Sequence, residues 1–197
     1  VGSEMCIRDS SIISPERIVA EYKAKGWENV ICYGMGSTLD DVKNAAAAEM
    51  NIVCSASAIK AAEYLKEKFG TPYEIEYPRS CLPEEIVQKA DKFTDKNVLV
   101  IHNQTAADTV RKLITEKSGK CNCTSATFFM QKKEFSQQSD FFLADESDLC
   151  DNVGDNYDVV IADKTLRRVM KNFSGEFIDF PHFGLSGRLL QGESEKI

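Results

Sequence analysis

Two histidines, one tryptophan and five prolines in 197 residues are a thin supply, and each scarcity excludes something. Two imidazoles are too few for a histidine-based hydrolase centre with ligands to spare. Neither a Ser/His/Asp triad pattern nor an HExxH spacing occurs. The seven cysteines, Cys6, Cys32, Cys54, Cys81, Cys121, Cys123 and Cys150, contain no CxxC pair. Thiols scattered in this way are mostly small buried hydrophobes of a reducing compartment. There is no Lys/Arg block, and the net charge is -7, so no nucleic-acid partner is expected. Phosphate ligands stay open, because backbone amides bind them without basic side chains. No apolar run approaches the roughly 20 residues that span a bilayer. No apolar stretch follows basic residues at the N-terminus, as in a signal peptide. The expectation is a cytoplasmic protein with no membrane partner.

What is present is ordinary for a globular protein: 43% hydrophobic and 28% charged residues. A chain of this length buries a core without disulfides. Residues 1–10, VGSEMCIRDS, have neither helical nor strand period and resemble a translated sequencing-adapter peptide. They are set aside, Cys6 with them, and the frame is expected to extend upstream of Ser11.

Ser14-Pro15-Glu16 is a helix start, and Gly26 a stop. Val30–Tyr33 is a short apolar run that predicts a buried strand. Ser37 and Asp40 read as N-cap and acidic third residue of an alanine-rich helix ending near Met50. Strand 52–54 precedes a helix from Ser57 to Phe69, closed by Gly70. An extended segment, 73–77, leads to a helix from Leu82 to Phe93. NVLVIH (97–102) is the clearest buried strand, followed by a helix over 105–117 that Gly119 ends. Further strands are predicted at 123–130, 141–143, 157–162 and 177–180. Helical pieces are predicted at 148–153 and 164–171. Strands and helices alternating through short links predict right-handed βαβ units and parallel sheets. The expected fold is therefore α/β, with three-layer Rossmann-like domains whose parallel sheets are flanked by helices. Pro78 to Pro83 marks a candidate boundary. Residues 11–80 would close one α/β domain, truncated at its N-terminus, and 81–190 would form a second. The polar residues 191–197 read as a disordered tail.

Ligands of open parallel sheets lie at the carboxyl ends of strands, and four stretches fall there. Gly34-Met35-Gly36-Ser37 is either a plain βα turn or one whose backbone approaches an anion; it matches no full dinucleotide or P-loop fingerprint. Cys54 is either an inert buried thiol or a nucleophile or metal ligand activated by the following helix. His102-Asn103-Gln104-Thr105 is a polar cluster directly after a buried strand, or simply a capped turn. In 180–188, FPHFGLSGR, His182 is either a packed, hydrogen-bonded imidazole or a functional one. Arg188 is an anion clamp or a surface ion pair.

In order and spacing, three segments resemble the C-terminal part of nitrogenase component-1-type oxidoreductases. They are NIVCSASAIKAAEYLKEKFGTPYEIEYP (51–78), NVLVIHNQTAADTVRKLI (97–114), and YDVVIADKTLRRVM (157–170) with FPHFGLSGRL (180–189). The resemblance runs over nearly the whole chain after residue 11. It implies an iron-sulfur or related metal cluster between domains, with Cys54 on the cofactor cysteine and His182 near the cofactor histidine, in altered flanks. Thiolate and imidazole suit iron. His182 would ligate metal or donate a proton; Gly36, Ser37, Asn103, Gln104 and Arg188 would shape the cofactor-binding pocket. The implied partners are a second similar subunit and an ATP-dependent iron-sulfur reductase supplying electrons. The family's interface-cluster cysteines lie in an N-terminal domain outside this chain. The family's longer C-terminal cofactor-binding segment is lacking, so dinitrogen is not the expected substrate. Two rival readings stand beside the redox one: a cluster-assembly scaffold without turnover, and a small-ligand module without metal.

Overall fold

A computed structural model describes residues 15–34, 36–153 and 156–187. Helix α1 (Pro15–Ala24) begins on Pro15, with Glu16 in its first turn, where the helix dipole favours a carboxylate. It buries Ile18 and Tyr22, four apart and therefore on one face. Helix α2 (Leu39–Lys43) precedes strand β1 (Asn51–Val53) and helix α3 (Ile59–Phe69). Gly70 caps α3 in the left-handed region at φ 76°, where a Cβ is penalised. Strand β2 (Tyr73–Ile75) pairs in parallel with β1, Asn51 opposite Tyr73. Helix α4 (Glu84–Lys89) leads to β3 (Asn97–Ile101), α5 (Gln104–Ser118), β4 (Asn122–Thr127) and β5 (Phe141–Phe142). Then follow α6 (Glu146–Val153), β6 (Val159–Ala162), β7 (Glu176–Asp179) and α7 (Phe183–Ser186).

The larger sheet is entirely parallel, in the order β5-β4-β3-β6-β7. Its central strands are covered on both faces, as parallel sheets require. Along β3, Val98 and Val100 face one core, shared with α1, α4 and α5. Leu99 and Ile101 face the other, shared with α6. Neighbouring β6 alternates in step: Val159 and Ile161 on the first face, Val160 and Ala162 on the second. Three layers and parallel, helix-flanked sheets make the chain α/β and Rossmann-like. The first core draws Ile18, Tyr22, Ile52 and Tyr77 together with residues beyond Pro83. Each aliphatic side chain fully buried there contributes about 1.5–3 kcal/mol.

The chain leaves β3 towards β4 on one side and later returns to β6 on the other. The strand order thus reverses about β3, which opens a crevice at the carboxyl ends of β3 and β6.

Four expected elements come out differently. Val30–Tyr33 buries Cys32 and Tyr33 but is no strand; among the described residues the first sheet consists of β1 and β2, so no neighbour supplies a ladder. The alanine-rich helix ends at Lys43 and gives way to a 3-10 turn, Asn44–Ala47. α2 buries no residue, and a short helix persists mainly through an apolar face packed on a core. The helix expected over 164–171 is a 3-10 turn, Lys164–Arg168. β4 stops at Thr127 instead of Met130, because its partner β5 has only two residues. Phe129 is thereby freed from the sheet.

Gly175, just before β7, has no room for a side chain. A Cβ there would meet the Asp158 carbonyl oxygen at 2.5 Å and the Phe173 ring at 2.7 Å. That carbonyl accepts the Glu176 N–H at 2.9 Å and cannot yield without opening the β6–β7 ladder. Gly175→Ala is expected to cost about 1–3 kcal/mol, read as a lowered urea midpoint. An unchanged midpoint would contradict this packing.

Candidate functional site

Three parallel strands deliver their following residues to the crevice: His102 after β3, Asp163 after β6, and Phe180 to His182 after β7. His102 and His182 are the only histidines of the chain, and both are buried, at 1% and 0% exposure. Their rings meet edge to face, 4.5 Å between centroids. Phe180 stacks on His102 at 3.9 Å, and Phe129 stacks on His182 at 4.1 Å. Tyr77 closes the group with edge contacts to His102 and Phe180.

The hydrogen bonds settle where the imidazole protons sit. His102 Nε2 lies 3.2 Å from the Pro181 carbonyl oxygen. A carbonyl only accepts, so this Nε2 carries hydrogen. His182 Nδ1 accepts the Gly184 N–H at 3.1 Å, so the neutral ring carries its proton on Nε2. Turning the ring over would set a C–H against that backbone N–H, so the same bond also fixes the ring orientation. Among the described residues nothing accepts from His182 Nε2, although it is buried.

Asp163 organises the backbone around this ring. One oxygen accepts the His182 N–H at 2.9 Å and the Ser186 hydroxyl at 2.5 Å. The other accepts the Thr165 N–H and hydroxyl at 2.9 and 2.8 Å. Burial works to raise its pKa. The hydrogen bonds from Ser186, His182 and Thr165 outweigh burial and hold the carboxyl well below the usual range. Burial pushes the His102 imidazole down to about 4, against the pull of Pro181, Asn103 and Asp163. Burial, then repulsion from His102, takes His182 down to about 3. Both rings are neutral at pH 7.

The other expected site residues are placed as follows. Cys54 follows β1 directly, and its carbonyl accepts the Thr105 hydroxyl at 2.5 Å, which ties the end of β1 to the start of α5. Its thiol lies 4.0 Å from the Ile52 carbonyl, within the apolar cluster of Ile18, Tyr22 and Tyr77. Asn103 caps α5 by accepting the Ala106 N–H. Gln104 clamps the loop after β4, bonding both the N–H and the carbonyl of Lys132. Gly36 holds a left-handed turn at φ +87°, and Ser37 accepts the Gly34 N–H at 3.0 Å. The cap expected of Ser37 and Asp40 belongs to Thr38 and Asp41, one residue on, as a reciprocal capping box. Ser37 closes the preceding turn and is not available to cap. Arg188 lies outside the described residues. Asp163, Phe129 and Tyr77 escaped the sequence reading, and Phe180 entered it only as the first residue of the stretch 180–188; an Asp directly after the buried run VVIA was the one signal for Asp163.

These residues do not fit a resident metal group. A metal-binding imidazole donates its second N–H to a partner, whereas His182 accepts at Nδ1 and carries hydrogen on Nε2. The Cys54 thiol is packed in the apolar cluster. Among the described residues no group of three or more His, Cys, Asp or Glu side chains could hold a metal ion. No described helix is long and apolar enough to cross a membrane.

No family model matches the chain, and no curated protein matches it. Among solved structures it is similar to "Nitrogenase Cp1 at pH 6.5", with a TM-score of 0.56 and 13% identity over 91% of this chain. A D-isomer-specific 2-hydroxyacid dehydrogenase from Lactobacillus delbrueckii ssp. bulgaricus, in its NAD-complexed form, reaches a TM-score of 0.26 at 11% identity. That match covers 82% of this chain and 61% of the dehydrogenase, and so low a score carries no argument. The chain spans 52% of the nitrogenase chain, and what the two share is the fold.

Proposed function

We propose that this chain is the ligand-holding part of a nitrogenase-like, component-1-type oxidoreductase subunit. A second similar subunit and an ATP-dependent iron-sulfur reductase, the source of electrons, are its partners. The observation that carries this reading is the convergence of both histidines and Asp163 at the strand-order reversal, in a fold similar to a nitrogenase chain. Open α/β sheets take their ligands there. An iron-sulfur group would supply electron storage if one were bound, but the donors present do not suit it.

The chain's own groups have clear tasks. The Thr105–Cys54 bond holds the end of β1 against the site. Asp163 fixes the backbone of His182. The neutral His182 presents one N–H, and the aromatic rings keep water away from it. A metal-free small-ligand module is the second reading, favoured by that same protonation pattern.

The test is co-expression of the chain with a component-1-type partner subunit and the reductase. The chain is expected to co-purify with the subunit and, in that complex, to retain the reductase in the presence of MgATP. A chain that enters neither complex overturns the redox reading and leaves the ligand module.

A further inference from the structure

We propose that His182 is a hydrogen-bond donor, through Nε2–H, to the neutral carbonyl oxygen of an organic ligand. The inference rests on the assignment of this sheet end as the ligand-holding site and names the chemistry of what it holds.

The Nε2 atom of His182 is buried, carries hydrogen and meets no acceptor among the described residues. Buried donors in native proteins are almost always paired, so this one points to a partner outside the described residues. The donor's fixed direction comes from the backbone. Asp163 anchors the His182 N–H, and Gly184 anchors Nδ1. Such preorganisation belongs to recognition more than to packing.

The surroundings choose the acceptor. The Asp163 carboxylate bonds the backbone of the same residue at 2.9 Å, and the neighbouring ring, His102, is neutral. An anion placed at Nε2 would face a like charge with no cation in the aromatic group to balance it. A cation offers no acceptor. A neutral carbonyl satisfies the N–H and suits the rings of Phe129, Phe180 and Tyr77.

One ring covers the donor from the loop side. Phe129 is half-buried and lies over His182 on the loop freed by the early end of β4. A Cβ on residue 184 would stand 3.0 Å from the Phe129 ring, so the glycine makes room for this cover.

The experiment uses the full chain with 15N-labelled histidine at pH 7. Long-range proton–nitrogen correlation should show both rings protonated on Nε2. A small neutral amide, 2-pyrrolidone, should shift the His182 Nε2–H saturably, whereas formate at the same concentration should not. His182→Phe should abolish binding of 2-pyrrolidone, read on the neighbouring His102 signals, while His102 keeps its own protonation pattern. Stoichiometric Co(II) should leave the His182 signals sharp.

Hydrogen on Nδ1, or selective broadening of His182 by Co(II), would overturn the proposal in favour of metal ligation. No response to 2-pyrrolidone, with Nε2–H exchanging magnetisation with a trapped water, would overturn it in favour of a structural water. A response to formate alone would overturn the choice of a neutral carbonyl. None of these outcomes depends on the reductase, so failure here and failure of the redox reading are separable.

Discussion

Arg111→Met is expected to remove about 3–5 kcal/mol of folding stability, the largest single-residue effect among these variants. Arg111 lies on α5 and is 7% exposed. It pairs with Asp140, whose side chain is 1% exposed, and stands 3.5 Å from Asp108. The Asp140 carboxylate also accepts the Ser125 N–H at 2.9 Å and the Gln137 N–H at 2.8 Å. One buried carboxylate therefore fastens the loop ahead of β5 to β4 and to the helix that crosses them. Methionine fills the space but leaves that charge without its counter-ion, in a place where water cannot replace it. The loss is a large part of the 5–15 kcal/mol that typically holds a domain together. Asp140→Asn in the Arg111→Met background should recover part of it, because the charge is gone and an amide oxygen still accepts. Urea unfolding of the single and double variants measures both quantities. A single variant within 1 kcal/mol of the parent would show that the pair contributes little.

The second large effect is expected from acid. Both imidazoles are buried neutral, with pKa values below the ordinary 6.5, His102 at about 4 and His182 at about 3. The unfolded chain takes up these protons near pH 6.5, and the folded chain resists them. Stability is therefore unaffected above about pH 7 and falls as the pH drops from 6.5 towards 4, because the unfolded state binds more protons there. His102 alone accounts for about 3 kcal/mol over that window. His182 adds less than a second full share, since repulsion from a charged His102 is part of its shift. Asp163 acts in the same direction but only below its ordinary 3.8, so its loss comes later and is separable. Asp108, raised by burial to about 6, takes up its proton in the folded state over the same window and offsets part of this fall, so the comparison that isolates the imidazole is with His102→Phe, which preserves the ring against Phe180. Urea midpoints measured between pH 7.5 and 4.5 should fall more with acid for the parent than for His102→Phe; equal slopes would mean that His102 is not buried as a neutral group.

Much of the architecture was legible because short-range rules decided it. The apolar run 98–101 is fully buried, and such a run flanked by helices is a central parallel strand. Gly70 and Gly119 stop their helices as expected, at φ 76° and 74°. The elements that came out differently needed partners that sequence does not display. Val30–Tyr33 has strand character but no ladder. The alanine-rich segment has helix propensity but no apolar face to bury. The cap moved from Ser37 to Thr38 because a hydroxyl three residues from Gly34 was needed to close the turn.

By itself the amino-acid sequence determined the α/β class, the alternation of strands and helices, and the set of residues at strand ends. Those follow from hydrophobic period and turn chemistry, which act within a few residues. Only the tertiary structure decided that His102 and His182, 80 positions apart, share one aromatic enclosure and that Asp163 anchors it. It also decided that the Cys54 thiol sits among apolar side chains while the Cys54 carbonyl meets Thr105. Strand order sets these meetings, and strand order depends on contacts between distant segments. The proton on His182 was decided the same way: a single backbone N–H, that of Gly184, makes Nδ1 the acceptor and leaves Nε2 as the donor.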